Sequence, residues 1–175
     1  LLARSLADIQ QCPFATILLS EVTEEDPEYR DAWIVLGYCR LQLQDAVAAL
    51  AAFEQAYGLD PEKAETQYFL GLSYERSGAA AEAEKFFGYA LQNGFQPQRS
   101  LREKLAQLAL RKGNYQEAEE QYRASLSIPQ GQREDVSDIS ERERGTLHHA
   151  LVSVLLEHLH DLPAAEEAAG VARDE

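Results

Sequence analysis

The sequence predicts an all-α fold, a solenoid of about ten helices set as antiparallel pairs, and three observations predict it. Small and large residues recur at a spacing of 34: Gly37 and Gly71, Ala49 and Ala83, Phe53 and Phe87, Ala56 and Ala90. Pro27 and Pro61 share the same spacing and stand where one helix has ended and another must begin, because proline cannot continue a helix. The period-2 alternation of a half-buried strand is absent throughout. A fixed period of this size means stacked units that cannot bury their apolar faces alone.

The motifs inside the period are specific. Trp33, Leu36 and Gly37 form W-x-x-L-G, and Leu70, Gly71 and Tyr74 form L-G-x-x-Y, with Gln67 in the tryptophan slot. Each set is followed by A-x-x-x-F, as Ala49 with Phe53 and Ala83 with Phe87, and the first then by Pro61. The pattern resembles the tetratricopeptide repeat family, which has that period and those slots. Backwards, Ala15, Leu19, Val22 and Pro27 take the slots of Ala49, Phe53, Ala56 and Pro61. Forwards by 35, Gly113, Ala118, Tyr122 and Ser125 match Gly78, Ala83, Phe87 and Ala90, which implies one inserted residue near positions 96–100. A last unit lies 47 residues further, with Ala165, Ala169 and Ala172, so about thirteen residues are inserted at the polar stretch Gln130–Arg142. A single array over 1–175 is expected, with units near 1–29, 30–63, 64–98, 99–129 and 143–175 and the insertion at 130–142.

Each unit is a helix A followed by a helix B. The first pair is expected at Leu1–Gln10 and Pro13–Glu24, where Pro13 suits a first helical turn. Glu28–Gln42 with Gln44–Tyr57 and Glu62–Arg76 with Ala79–Gln92 follow, then Gln98–Arg111 with Tyr115–Ser127. Glu143–Leu159 with Leu162–Arg173 closes the array. Where A and B cross, Gly37, Gly71, Ala106 and Ser153 face Ala15, Ala49, Ala83, Ala118 and Ala165, since larger side chains would force the backbones apart. Phe53, Phe87 and Tyr122 fill the remaining space. Gly58 and Asn93-Gly94 are expected to supply the left-handed residue that ends a helix. The resemblance implies that such pairs stack into a right-handed superhelix with a concave face made mainly of A helices. Arg40 in an aromatic slot, Gln67 for the bulky residue and Ala169 for phenylalanine depart from the pattern.

Composition excludes several function classes. The 175 residues carry 16 Lys and Arg against 30 Asp and Glu, a net charge of −14. That argues against nucleic acid, which needs a basic stripe, and against an anionic membrane surface. No apolar stretch reaches the roughly 20 residues of a membrane span. The lack of methionine, even at position 1, suggests a piece of a longer chain. Two cysteines, Cys12 and Cys39, are no disulfide framework; they could approach one another between adjacent helix pairs, but buried apolar thiols are the expectation. Reduced thiols lean towards the cytoplasm.

Catalytic chemistry finds no support. His148, His149, His158 and His160 cluster late, yet none of the pairs has the i, i+4 spacing of a helical zinc site. His149 falls in a bulky core slot and reads as packed. Nucleotide loops and nucleophile elbows are absent, the acidic insertion lacks calcium-loop spacing, and no cofactor is expected. What remains is the groove that the resemblance implies. Its slots hold Asp31, Ile34, Tyr38, Leu41 and Gln42, then Glu65, Tyr68, Leu72, Glu75 and Arg76. Repeat three offers Ser100, Glu103, Gln107, Leu110 and Arg111, and repeat four Leu147, Ala150, Val154, Glu157 and His158. Of these, Ile34, Tyr38, Leu41, Tyr68, Leu72, Arg76, Glu103, Gln107 and Arg111 are the candidate partner-binding residues. The clamp that grips acidic chaperone tails would need Lys, Asn, Asn, Lys and Arg where Ile34, Tyr38, Phe69, Ser100 and Lys104 stand, so that ligand is excluded. The expectation is a non-catalytic scaffold for a protein or peptide segment. Self-association through the array ends, and an accessory role in a larger and possibly enzymatic chain, are the alternatives.

Overall fold

The computed structural model describes residues 12–128 and 141–174. Among them nine α-helices occur and no strand: α1 (Cys12–Glu25), α2 (Arg30–Gln42), α3 (Ala46–Leu59), α4 (Ala64–Arg76) and α5 (Ala80–Gln92). Then come α6 (Gln98–Lys112), α7 (Tyr115–Leu126), α8 (Glu141–Ser153), a π-helical turn at Val154–His158, and α9 (Leu162–Asp174). The expected first helix, and the insertion up to residue 140, lie outside the described residues. Glu141 and Arg142, placed in that insertion from the repeat spacing, belong to α8. Contacts divide the chain into two compact units, Leu1–Phe95 and Gln96–Glu175.

Helix ends follow local chemistry. α2 and α4 start two residues later than expected because Tyr29 and Lys63 donate to Asp26 and Asp60 carbonyls within the preceding turns. The Asp45 carboxylate accepts from the Ala48 amide and the Asp161 carboxylate from the Ala164 amide, capping α3 and α9 as short acidic side chains do. Four turns share one design. Gly78, Gly94 and Gly113 take φ near +80°, and the residue after each donates back five residues, as Ala79 to Tyr74, Phe95 to Ala90 and Asn114 to Ala109. This double closure satisfies the last carbonyls of the helix; Gly94 performs it at the end of a B helix. In the fourth case Gln44 adopts φ +63° instead, with Asp45 donating to Arg40. Gly58 does not punctuate: α3 runs through it to Leu59, and the extended Asp60 makes the turn.

In the N-terminal unit the close crossings are where the repeat pattern requires them. A methyl on Gly37 would sit 2.6 Å from the Phe53 ring, and one on Gly71 2.5 Å from Phe87. Both rings are fully buried with Ala49, Ala56, Ala83 and Ala90 around them. α1 adds Cys12, Ala15 and Leu19 against Ala32, Leu36 and Cys39. Trp33 donates its indole N–H to the Pro27 carbonyl at 2.9 Å. Arg40 reaches the Ala48 carbonyl at 3.1 Å, which ties α2 to α3 where an aromatic would have packed.

In the C-terminal unit, Ala106 and Tyr122 join Leu147, Leu151, Val154, Leu155, Ala165 and Ala168 in one core. The last repeat is shifted by one residue in its first half. The buried set Leu101, Leu105, Leu108, Ala109 of α6 reappears 46 residues on as Leu147, Leu151, Val154 and Leu155, whereas Ala118 reappears after 47 as Ala165. The π-turn takes up the difference, because it holds one residue more than an α-helical turn. Two expectations are corrected as a result. His148 is buried and His149 exposed, and Ser153 is not at the crossing core.

Candidate functional site

The face formed by α2 and α4 carries the first candidate residues, and the structure divides them. Ile34 and Leu41 are buried, 6% and 2% exposed, in the core shared with Phe53 and Leu70. They stabilise the helix pair and present nothing to a ligand: an A helix here packs chiefly between its own B helix and the preceding B helix. Leu72 is half-buried against the same core. Tyr38 and Tyr68 reach the surface with part of their rings, and Arg76 is exposed.

The two tyrosines share a neighbour that the repeat pattern did not single out. Tyr38 meets the Phe69 ring edge-on, with centroids 6.0 Å apart, and Tyr68 meets it at 5.6 Å. Phe69 itself stacks on Phe53 at 5.1 Å, and Tyr68 stacks on Phe95 at 4.1 Å. A chain of rings thus fixes both phenols on one platform. Burial, reinforced by the nearby Glu75 carboxylate, pushes the Tyr68 phenol up, so it stays neutral and able to donate. The signal was weak in the sequence because Phe69 and Phe95 occupy no slot of the repeat motif.

At the C-terminal ends of α2 and α4 lies a shallow cavity of about 430 Å³ lined by Leu41, Gln42, Gln44, Ala46 and Arg76. The Arg76 guanidinium donates to the Leu41 carbonyl at 2.6 Å, which holds the charge at the end of α2. This bond spans two repeats and orients a group that repeat spacing left free.

Glu103, Gln107 and Arg111 belong to the other unit, four residues apart on α6. The first two are half-buried and Arg111 is exposed. Tyr122 nearby is pushed up by burial and then by Glu103. In the last repeat, Leu147 and Val154 are core residues rather than groove residues, which follows from the shifted register. His158 stacks flat on Tyr115 at 4.0 Å and borders a cavity of about 720 Å³ with Asn114, Glu117 and Glu120. Nothing in the sequence marks that stack, since the π-turn creates it. Among the described residues no group of three or more His, Cys, Asp or Glu is placed to hold a metal ion, and no helix is long and apolar enough to cross a membrane.

Antiparallel pairs with a glycine beneath an aromatic ring, repeated at 34 residues, define an α-helical repeat protein. The chain belongs to the tetratricopeptide repeat family, whose models match residues 1–64, 48–98 and 101–131. Proteins of this family are commonly protein-interaction scaffolds and generally non-catalytic. Over 88 residues the chain is 33% identical to the general transcriptional corepressor ssn6 of Schizosaccharomyces pombe, covering 49% of this chain and 8% of that protein. Solved structures share the fold at low identity. A MamA structure superposes with a TM-score of 0.76 at 17% identity, covering 98% of this chain and 84% of the other. Pseudomonas aeruginosa PilF gives 0.75 at 17%, covering 99% and 72%. YrrB, described as a TPR protein with an unusual peptide-binding site, gives 0.62 at 20%, covering 86% and 74%.

Proposed function

We propose that the chain is a non-catalytic scaffold that holds an extended or helical segment of a partner protein against the α2–α4 face. The observation that carries this reading is the seating of Tyr38 and Tyr68 on the single ring of Phe69. Rigid, partly exposed tyrosines supply contact area at little entropic cost, and residues of this type dominate binding energy at interfaces. Arg76 at the edge then steers encounter more than it holds the complex. A protein or peptide fits better than nucleic acid because the net charge is −14 and phosphate contacts need a basic surface. YrrB, with its described peptide-binding site, is consistent with a peptide ligand for this fold. We place the protein in the cytoplasm, where Cys12 and Cys39 would ordinarily stay reduced.

The test is affinity capture followed by binding kinetics of the captured partner at two salt concentrations. Tyr38→Ala should weaken binding by about 2 kcal/mol, with some loss of melting temperature because its ring also packs on Phe69. Tyr68 needs the milder Tyr68→Phe, because its ring also packs on Phe95. Unchanged affinity in both variants would move the site elsewhere.

Self-association has one observation in its favour. On α1, Phe14, Ile17 and Leu18 are 72%, 62% and 53% exposed, an apolar stripe at the end of the described array. Sedimentation at several concentrations, with Ile17→Lys as the comparison, separates that reading from the first.

A further inference from the structure

Cys12 and Cys39 are far apart in sequence and adjacent in space. Cys12 is the first residue of α1, and Cys39 lies in the last turn of α2. Both are free thiols at 0% exposure, and their Sγ atoms stand 2.6 Å apart. A disulfide closes to about 2.05 Å. The two sulfurs are thus in direct contact across the α1–α2 interface, within reach of a bond between them. Around them the α1–α2 interface is apolar, built from Ala15, Leu19, Ala32 and Leu36.

We propose that Cys12 and Cys39 are a reversible disulfide site that staples α1 to α2, oxidised by exchange with a glutathione-type disulfide. The chemistry balances as follows. The Cys12 thiolate attacks one sulfur of the oxidant, the oxidant's S–S bond breaks, and one thiol leaves with the proton that Cys12 gave up. Cys39 then loses its proton and attacks Cys12 Sγ in the mixed disulfide. The Cys12–Cys39 bond forms, and the second thiol of the oxidant departs with that proton. Two protein thiols are oxidised and one external disulfide is reduced to two thiols.

The order of attack follows from the surroundings. Burial, and then the neighbouring Cys12, push the Cys39 thiol up to about 12, so it is the poorer first nucleophile. Cys12 is the first residue of α1. That first turn is where a helix opens most readily, which admits the oxidant to sulfurs that are otherwise sealed. Once formed, the bond is reached by reductants through the same opening. The staple closes a loop across a sequence separation of 27 and ties down the helix that bears Phe14, Ile17 and Leu18.

The whole folded chain should be equilibrated without denaturant in buffers of increasing oxidised-to-reduced glutathione ratio. It is then quenched in acid, alkylated in denaturant, and read by intact mass and peptide mapping. The expected result is loss of both alkylation sites together and a Cys12–Cys39 linked peptide. The oxidised chain should melt about 5–10 °C higher than the reduced one, and dithiothreitol should reverse both changes. The packing control is the double variant Cys12→Ala, Cys39→Val, whose melting temperature should ignore the glutathione ratio. Two cysteines that stay alkylatable at every ratio overturn the proposal, as do glutathione retained on one cysteine or a disulfide between chains. A linked peptide without any rise in melting temperature overturns the staple.

Discussion

Trp33 and Gln67, 34 residues apart, donate the same hydrogen bond to the proline carbonyl six residues before them. The indole N–H reaches Pro27 at 2.9 Å and the carboxamide N–H reaches Pro61 at 2.7 Å. The slot therefore asks for a donor that ties the entry turn to helix A, and bulk is secondary. Gln67 goes further: its carbonyl accepts from Asn93 at 3.0 Å, so the residue joins the start of α4 to the end of α5.

Gln67→Leu, which keeps the size and removes both bonds, should cost about 1–3 kcal/mol, because Gln67 is buried and its partners lose their bonds. Trp33→Phe should cost less, since its bond is solvent-exposed. Urea midpoints measure both. A larger loss at Trp33 would mean that bulk, not the bond, matters in this slot.

Gly71→Leu should be far worse than Gly78→Ala. The first drives a side chain into the buried Phe87 ring, where even a methyl stands at 2.5 Å. The second meets open space and only the strain of φ +82°, about 1–2 kcal/mol. Phe87→Leu should partly rescue Gly71→Ala, and failure of that rescue in thermal melts would place the clash elsewhere.

Gln44→Gly should stabilise the N-terminal unit by up to about 1 kcal/mol. Gln44 is held at φ +63°, which costs a side chain roughly 1–2 kcal/mol, and the greater freedom of glycine in the unfolded chain offsets part of the gain. A fall in the urea midpoint would show that the glutamine side chain makes a contact worth more than the strain.

Deleting Leu156 should be tolerated better than deleting Gln107. Leu156 is exposed within the π-turn, and removing one residue there restores an α-helical turn. A deletion in the middle of α6 rotates every later core residue by about 100°. Circular dichroism melts decide; equal losses would mean the π-turn does not carry the register shift.

Among the described residues, helix content, order and ends, to within two residues, were legible from the 34-residue period together with proline and glycine placement. So were the crossings at Gly37 and Gly71, because each is set by residues whose spacing repeats and whose sterics are local to one pair. Contacts outside the repeat pattern were not legible. Gly58 looked like a stop signal, but Asp60 and Pro61 turn the chain without it. Ile34 and Leu41 looked like ligand positions, yet burial depends on how the next helix pair is rotated. The shift that buries His148 in place of His149 comes from one residue absorbed by a π-turn, which no spacing count across the insertion could locate. The Tyr38–Phe69–Tyr68 platform and the Cys12–Cys39 contact join residues 30, 31 and 27 positions apart. Only packing brings such residues together, because a side chain's neighbours across an interface are chosen by helix rotation and rotamer, and the repeat period constrains neither.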